Sequence, residues 1–505
     1  MAKKHRLSAR ELVDAVVDPG TFRSWDAPPL EPAVADGAAY AAELEAAREK
    51  SGVDESVITG EGLVRGRRVV LLACEFRFLA GSIGSASAER LVQAIERATA
   101  EGLPLLAGPA SGGTRMQEGT LAFLSMVKIS AALAEHRAAG HPILVYLRHP
   151  TTGGVLASWG SLGHVTVAEP GALIGFLGPR VYEALYSRPF PEGVQTGENM
   201  YRHGLIDAVL PPEKIADTVD KALAVLMAPR DTLADVSEPA QEDIPDVPAW
   251  ESITRSRNPD RPGARDLLRY GASNVLPLNG TGEGENDPGL VLALAKFGDA
   301  PCVFLGQDRR GQSKYAPMGP GALREARRGM RMSRELGLPL ITVIDTPGAA
   351  LSQEAEEGGM AGEIARSMTD LVMLESPTVS VLIGEGTGGG ALAMVPADRV
   401  LCAQNGWLSP LPPEGASVIV HRNTDRAAEM AESQGVRSLD LLRDGVVDHV
   451  VAERPDAAEE PVEFCRRLAA MLQYEIVTLL RQPQRQRFAG RLRRYRALGM
   501  RDAAQ

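Results

Sequence analysis

Cysteine is scarce in this chain of 505 residues: there are four, Cys74, Cys302, Cys402 and Cys465, and no two form a C-x-x-C pair. That spacing argues against a zinc ribbon or a disulfide scaffold and fits a reducing, cytoplasmic setting. Positive charge is also in deficit. A net charge of −11 at pH 7 argues against nucleic acid or an anionic membrane as a broad partner. No uncharged apolar run approaches the roughly 18 residues of a membrane span. The opening "MAKKHRLSARELVDAV" carries no apolar signal-peptide core. Nor is there a G-x-x-x-x-G-K-[ST] phosphate loop, an H-E-x-x-H or H-x-x-E-H metal motif, or a G-x-S-x-G elbow. No metal is expected.

Glycine is present in a pattern. Displaced by 235 residues, the sequence partly matches itself: "GLPL" at 102–105 with 337–340, Gly113 with Gly348, Pro142 with Pro377, Gly171 with Gly406, and "TGG" at 152–154 with 387–389. A constant offset this long indicates a duplicated domain, since a solenoid repeats about every 20–50 residues. With 505 residues, about three domains are expected from length alone.

Each copy alternates short apolar runs with amphipathic stretches, which predicts α/β domains. In the first copy, strands are predicted over 69–76, "LPLLAG" and "PILVYL". Helices are predicted over "SAERLVQAIERATAEG", capped by Ser87 and burying Leu91, Ile95 and Ala98, and over "LAFLSMVKISAALAEH". "TTGGVLASWGSLG" reads as a turn into a helix. The second copy runs in the same order: "PCVFLG", a proline-opened helix from Pro320 to Leu336, "LPLITVID", the helix "AGEIARSMTDLVML", "TVSVLIG" and a glycine turn. Residues 229–262 contain six prolines, and 231–250 hold six acidic residues and no basic one, which is linker composition. The expected organisation is a helical extension at 1–53, a domain at 54–228, a linker at 229–262, a second domain at 263–455, and a helical tail at 456–505 with seven arginines between 481 and 496.

A strand that stops at Gly-Gly and runs into a helix presents unpaired N–H groups in one direction, with no Cβ in the way of a ligand. Such donors suit an oxyanion, and losing one costs about 2.7–4 kcal/mol of transition-state stabilisation. Tight turning alone explains a single Gly-Gly. Two equivalent copies, Gly153–Gly154 and Gly388–Gly389, point instead to two polarised carbonyl groups. Glu118, Glu169, Asp345 and Glu385 stand near these turns as candidate acids or bases, with salt bridges and caps as the simpler assignment.

The stretches "VITGEGLVRGRRVVLLACEFRFLAGSIGSASAERLVQAIERA" (57–98), "SGGTRMQEG" (111–119), "PTTGGVLAS" (150–158) and "AEPGALIGFLGPRV" (168–181) resemble the β subunit of bacterial acetyl-CoA carboxylase carboxyltransferase. From about 249 the chain resembles the α subunit of the same enzyme, through "WESITRSRNPDRPGARDLL" (250–268), "MGPGALREARRGMRMS" (318–333), "IDTPGA" (344–349), "EEGGMAGEIARSM" (356–368) and "IGEGTGGGALA" (383–393). The sequence is thus similar to a β–α fusion. The resemblance implies two tandem crotonase-fold (ClpP/crotonase-like) domains, each a spiral of ββα units. It implies transfer of a carboxyl group from carboxybiotin to acetyl-CoA or a related short acyl-CoA, giving malonyl-CoA for fatty acid biosynthesis. Biotin would arrive in trans on a biotin carboxyl carrier protein, loaded by a separate biotin carboxylase.

Carried over by motif, Gly153 and Gly154 would donate to the thioester oxyanion and Gly388 and Gly389 to the biotin ureido oxygen. Gly112 and Gly113 would line the CoA side, where Arg115 would meet a phosphate or form an internal salt bridge. The terminal arginines would hold CoA or an acidic partner, form a solvated helix face, or make a subunit contact. A homodimer or higher homo-oligomer is expected, because β and α subunits meet across an interface. Two departures stand out: no zinc ribbon precedes residue 54, and the family's "SPEG" is stretched to "SPLPPEG" (409–415). Three other readings stay open: a malonyl-thioester decarboxylase of the same fold, an enoyl-CoA hydratase or isomerase, and a non-catalytic scaffold for carboxylase subunits.

Overall fold

In a computed structural model, which describes residues 6–30, 37–313 and 317–500, the chain divides into two compact units, Met1–Met227 and Ala228–Gln505. The expected extension and tail therefore lie partly outside the described residues, at 1–5, 31–36 and 501–505.

The first unit is organised around one mixed sheet. Strands β1 (Val57–Val64) and β2 (Arg67–Cys74) form an antiparallel hairpin closed by Arg65 and Gly66. Both turn residues have positive φ, 48° and 80°, as a two-residue type I′ hairpin requires. Strands β3 (Leu105–Gly108), β4 (Ile143–Leu147) and β5 (Val165–Ala168) then join in parallel. Their near-continuous apolar runs are buried along their whole length, as expected of parallel strands covered on both faces.

Helix α1 (Ser85–Glu101) carries the chain from β2 to β3, and α2 (Gly119–Ala138) from β3 to β4. Leu91, Ile95 and Ala98 on α1 are fully buried against the sheet. The cap expected at Ser87 is at Gly84 instead. Ser87 lies one turn in, and its Oγ reaches back to accept from the Gly84 N–H at 2.9 Å.

The second unit repeats this plan. Strands β6 (Leu290–Phe297) and β7 (Ala300–Gln307) pair antiparallel, and β8 (Leu340–Thr346), β9 (Thr378–Thr387) and β10 (Arg399–Ala403) follow in parallel. Helix α3 (Pro320–Leu336) precedes β8 and α4 (Met360–Val372) precedes β9. The 235-residue offset of the sequence separates the starts of α1 and α3, of β3 and β8, and of β4 and β9. It also preserves backbone conformation: φ is 65° and 63° at Gly102 and Gly337, 110° and 131° at Gly113 and Gly348, and 64° and 65° at Gly153 and Gly388. One matched pair diverges. Gly171 has a φ of 66°, whereas Gly406 has no positive φ and closes a turn onto the Ala403 carbonyl.

After β9 come α5 (Gly388–Leu392) and, further on, α6 (Pro413–His421), which begins inside the stretched "SPLPPEG". The chain ends in α7 (Pro461–Arg481) and α8 (Gln484–Ala497), interrupted at Gln482–Pro483. Helix α7 buries Phe464, Leu468, Leu472 and Ile476 on the second sheet. Residues 231–248 have no helix or strand and run acidic side chains along the second unit: Asp246 pairs with Arg437 and Glu242 with Arg454.

Candidate functional site

In the first unit, the end of β3 and the segment after β4 come together at their glycines. The Ser111 N–H donates to the Pro150 carbonyl at 2.7 Å and the Thr152 N–H to the Ser111 carbonyl at 3.0 Å. A Cβ on Gly113 would lie 3.4 Å from the Gly153 Cα, and one on Gly153 would lie 3.2 Å from the Gly113 Cα. Only glycine permits this backbone-to-backbone approach. Gly112, Gly113, Gly153 and Gly154 thus form one cluster.

Their hydrogen bonds divide them by role. The Gly112 N–H donates to the Ala80 carbonyl at 2.9 Å, and the Gly113 N–H to Ser111 Oγ at 3.0 Å. The Gly153 N–H, expected to face an oxyanion, is taken by the Phe176 carbonyl at 2.9 Å. The Gly154 N–H makes no hydrogen bond among the described residues. Because the Ala157 N–H turns back to the Gly153 carbonyl at 3.1 Å, the donors of Gly154, Val155 and Leu156 are those of an uncapped first turn. The regular helix expected from "TTGGVLASWGSLG" does not follow: a series of turns and the short 3-10 segment Trp159–Ser161 take its place.

The second unit builds the same device on a straighter frame. Strand β9 runs through to Thr387, the N-cap of α5, so Gly388, Gly389 and Gly390 occupy the first helical turn and have no intrahelical acceptor. A Cβ on Gly389 would meet Ile364 Cδ1 at 2.6 Å, and one on Gly390 would meet the Ala349 nitrogen at 3.3 Å. Gly153, Gly154, Gly388 and Gly389 are all partly accessible. Gly384, Gly386 and Gly389 have the G-x-G-x-x-G spacing, yet the first two lie inside β9 and not in a loop, which excludes the dinucleotide-binding turn.

Two supports of these turns escaped the sequence reading. Ser111 and Thr346, also 235 residues apart, each accept the N–H of the glycine two residues on, at 3.0 and 3.2 Å, and so fix Gly113 and Gly348. The repeat itself carries that signal, since both are hydroxyl residues. Gln307, fully buried, donates from Nε2 to the Gly390 carbonyl at 2.8 Å and accepts the Asp345 N–H at 3.1 Å. Nothing local in "FLGQDRRG" announces that role.

The candidate acids are engaged structurally. Glu118 accepts the Ser85 N–H at the start of α1 (2.6 Å) and the Tyr40 hydroxyl (2.6 Å). Glu169 accepts the His149 N–H at 2.9 Å. Asp345 pairs with Arg309 at 2.8 Å, and Glu385 with Arg257 at 2.7 Å. Arg115 is 1 % exposed, and its guanidinium is held by Glu55, Ser56 and the Ser82 carbonyl. It presents no accessible face to a CoA phosphate. The cysteines are all buried, with Cys74 pushed up to about 11 by desolvation, so it supplies no thiolate at neutral pH. No group of metal-ligating side chains occurs among the described residues.

Two mixed sheets, each ending in a glycine turn stripped of side-chain chemistry, define a crotonase-like carboxyltransferase fold. The chain belongs to the carboxyl transferase domain family of biotin-dependent acyl-CoA carboxylases, a match that spans residues 2–488. It is 59% identical over 495 residues to the "Probable biotin-dependent acyl-coenzyme A carboxylase beta3 subunit" of Mycobacterium tuberculosis (strain ATCC 25618 / H37Rv), covering 98% of this chain and 99% of the relative. It is 36% identical over 514 residues to the acetyl-coenzyme A carboxylase carboxyl transferase subunits beta/alpha of Salinispora tropica, covering 98% and 91%. Among solved structures, the transcarboxylase 12S hexamer with methylmalonyl-coenzyme A bound superposes with a TM-score of 0.72 over 93% of this chain and 89% of the other, at 20% identity.

Proposed function

We propose that this chain moves the carboxyl group of carboxybiotin, presented on a carrier protein, to acetyl-CoA or a related short acyl-CoA, forming malonyl-CoA from acetyl-CoA. The observation that carries the reading is the repeated glycine turn. Two copies 235 residues apart share a φ near 65° and partial exposure. In the first unit the donors opposite the thioester oxygen are Gly154 and its successors in the same turn, with Gly153, Gly112 and Gly113 shaping the approach. In the second, Gly388 and Gly389 face the ureido oxygen. Biotin, when bound, supplies the carboxyl group and the ring that accepts charge.

The chain's own part is to orient the acyl carbonyl, keep side chains out of its path and hold negative charge on oxygen with peptide dipoles. That division of labour accounts for carboxylates fully engaged in caps and ion pairs. The β/α-named relative favours acetyl-CoA. The direct test is a panel of acyl-CoA thioesters, assayed with the purified chain, a biotinylated carrier and its carboxylase. The highest kcat/KM is expected for acetyl-CoA or propionyl-CoA. Turnover confined to long-chain thioesters, or malonyl-CoA decarboxylation at full rate without a biotin acceptor, contradicts the proposal.

A further inference from the structure

Helix α8 and the chain before β10 border a half-open pocket of about 340 Å³ in the second unit, lined by Asp398, Gln482, Gln486, Arg487, Gly490 and Arg493 among others. It lies far from the glycine turn. Asp398 Oδ2 accepts the N–H of Thr378, the first residue of β9, while the glycines follow its last. Ten residues at ~3.3 Å each separate the two by about 30 Å.

The cavity has a surplus of donors. Its lining carboxylate, Asp398, is saturated by Arg491 through Nε at 2.9 Å and Nη2 at 2.6 Å, and by Thr378. Around it, Arg494 is paired with Asp448 at 2.6 Å and Arg399 with Glu475 at 3.3 Å. Two guanidiniums are less fully compensated. Arg493 is exposed and makes no ion pair among the described residues. Arg487 is 8 % exposed; its outer nitrogens reach the Leu479 and Glu375 carbonyls, and its buried Nε has no hydrogen-bond acceptor. The nearest carboxylate oxygen to that Nε is 3.6 Å away, and burial together with Arg491 lowers the Arg487 pKa. A negative charge in the pocket would offset this surplus of guanidinium charge.

Gly490 adds a second observation. Glycine inside a helix is destabilising relative to alanine, and here no neighbour demands it: a Cβ would meet nothing within 4 Å. It lines the pocket together with Arg487 and Arg493.

We propose that this cavity binds a small multivalent phosphate-class anion, at a site separate from that of carboxyl transfer. The space takes roughly ten waters' worth of ligand, enough for a pyrophosphate group whether free or at the phosphate end of a CoA molecule.

The test is calorimetric titration of the full chain at low salt with inorganic pyrophosphate, alone and in competition with CoA. One saturable site per chain is expected, weakened at least about tenfold by Gly490→Glu, which places a carboxylate in open space, and also weakened by Arg493→Ala, which breaks no ion pair. Arg493→Ala should keep the unliganded Tm of the wild type and Gly490→Glu should keep or raise it, and Arg493→Ala carries the test alone if Gly490→Glu fails to fold. Pyrophosphate displaced by CoA, with displacement lost in the variants, identifies the CoA phosphates as the ligand. Pyrophosphate binding indifferent to CoA identifies a free anion. Absence of saturable binding, or binding equal in wild type and both variants, overturns the proposal.

Discussion

Gln307 ties the floor of the second glycine turn to β8 with both ends of one buried amide, to Gly390 and to the Asp345 N–H. Gln307→Leu strands a buried carbonyl and a buried N–H, each costing about 1–3 kcal/mol. We expect a lowered Tm and a fall in kcat for carboxyl transfer, with KM for the acyl-CoA near that of the wild type; an unchanged kcat contradicts the positioning role. Glu325 gives a prediction in pH. Burial raises its pKa from 4.5 to about 7, so between those values the folded chain holds a proton that the unfolded chain has released. Its contribution to stability is complete below about pH 4.5 and is lost as pH rises through about 7. Glu325→Gln removes that loss and should raise stability at pH 8 by on the order of 2–3 kcal/mol, with little effect at pH 4.5, as read by denaturant titration at both values. At this scale the sequence showed where the paired glycines lie but not how each N–H is spent. Gly153 is occupied by Phe176, a partner 23 residues downstream that no local spacing reveals.

Elements were the most legible scale. The proline-opened helix Pro320–Leu336 and the strands around both "GLPL" copies stand where apolar periodicity and turn residues put them. The errors have local causes. Ser87 looks like a cap, but the chain already turns at Gly84 and uses the hydroxyl from inside the helix. The "TTGG" helix fails after one i to i−4 bond, from the Ala157 N–H to Gly153, because the Ser158 and Gly160 N–H groups both turn back on the Val155 carbonyl instead of continuing the ladder. The tail arginines look like a solvated face in sequence. In the structure, Arg491 donates to the Leu371 carbonyl in the last turn of α4 and to the Ser376 carbonyl beyond it while binding Asp398, satisfying carbonyls and countering the helix dipole. Arg491→Ala leaves the buried Asp398 charge without its bidentate partner, and a loss of about 3–5 kcal/mol of stability is expected in chemical denaturation.

At the scale of the whole molecule, large apolar side chains stand exposed in each unit. In the first these are Leu121, Phe123, Leu124 and Val127 on α2, whose Met126 touches the Gly154 site; in the second they are Val418, Ile419 and Val420 on α6. Apolar clusters of this kind mark association surfaces, and a homodimer or higher homo-oligomer is expected by light scattering, with Leu124→Asp shifting the chain toward monomer and lowering activity. A fully active monomer contradicts this. The duplication was legible from the constant 235-residue offset, whereas these surfaces were not, because exposure depends on which helix face the fold turns outward. The most direct measurement of the central claim is the carboxyl-transfer rate of Gly154→Val and Gly389→Val, with folding checked by Tm. Side chains there would strike Met126 and Ile364 and close off the donors. The account predicts that kcat falls about a hundredfold or more in each variant, and a folded variant of either position that keeps the wild-type rate contradicts it.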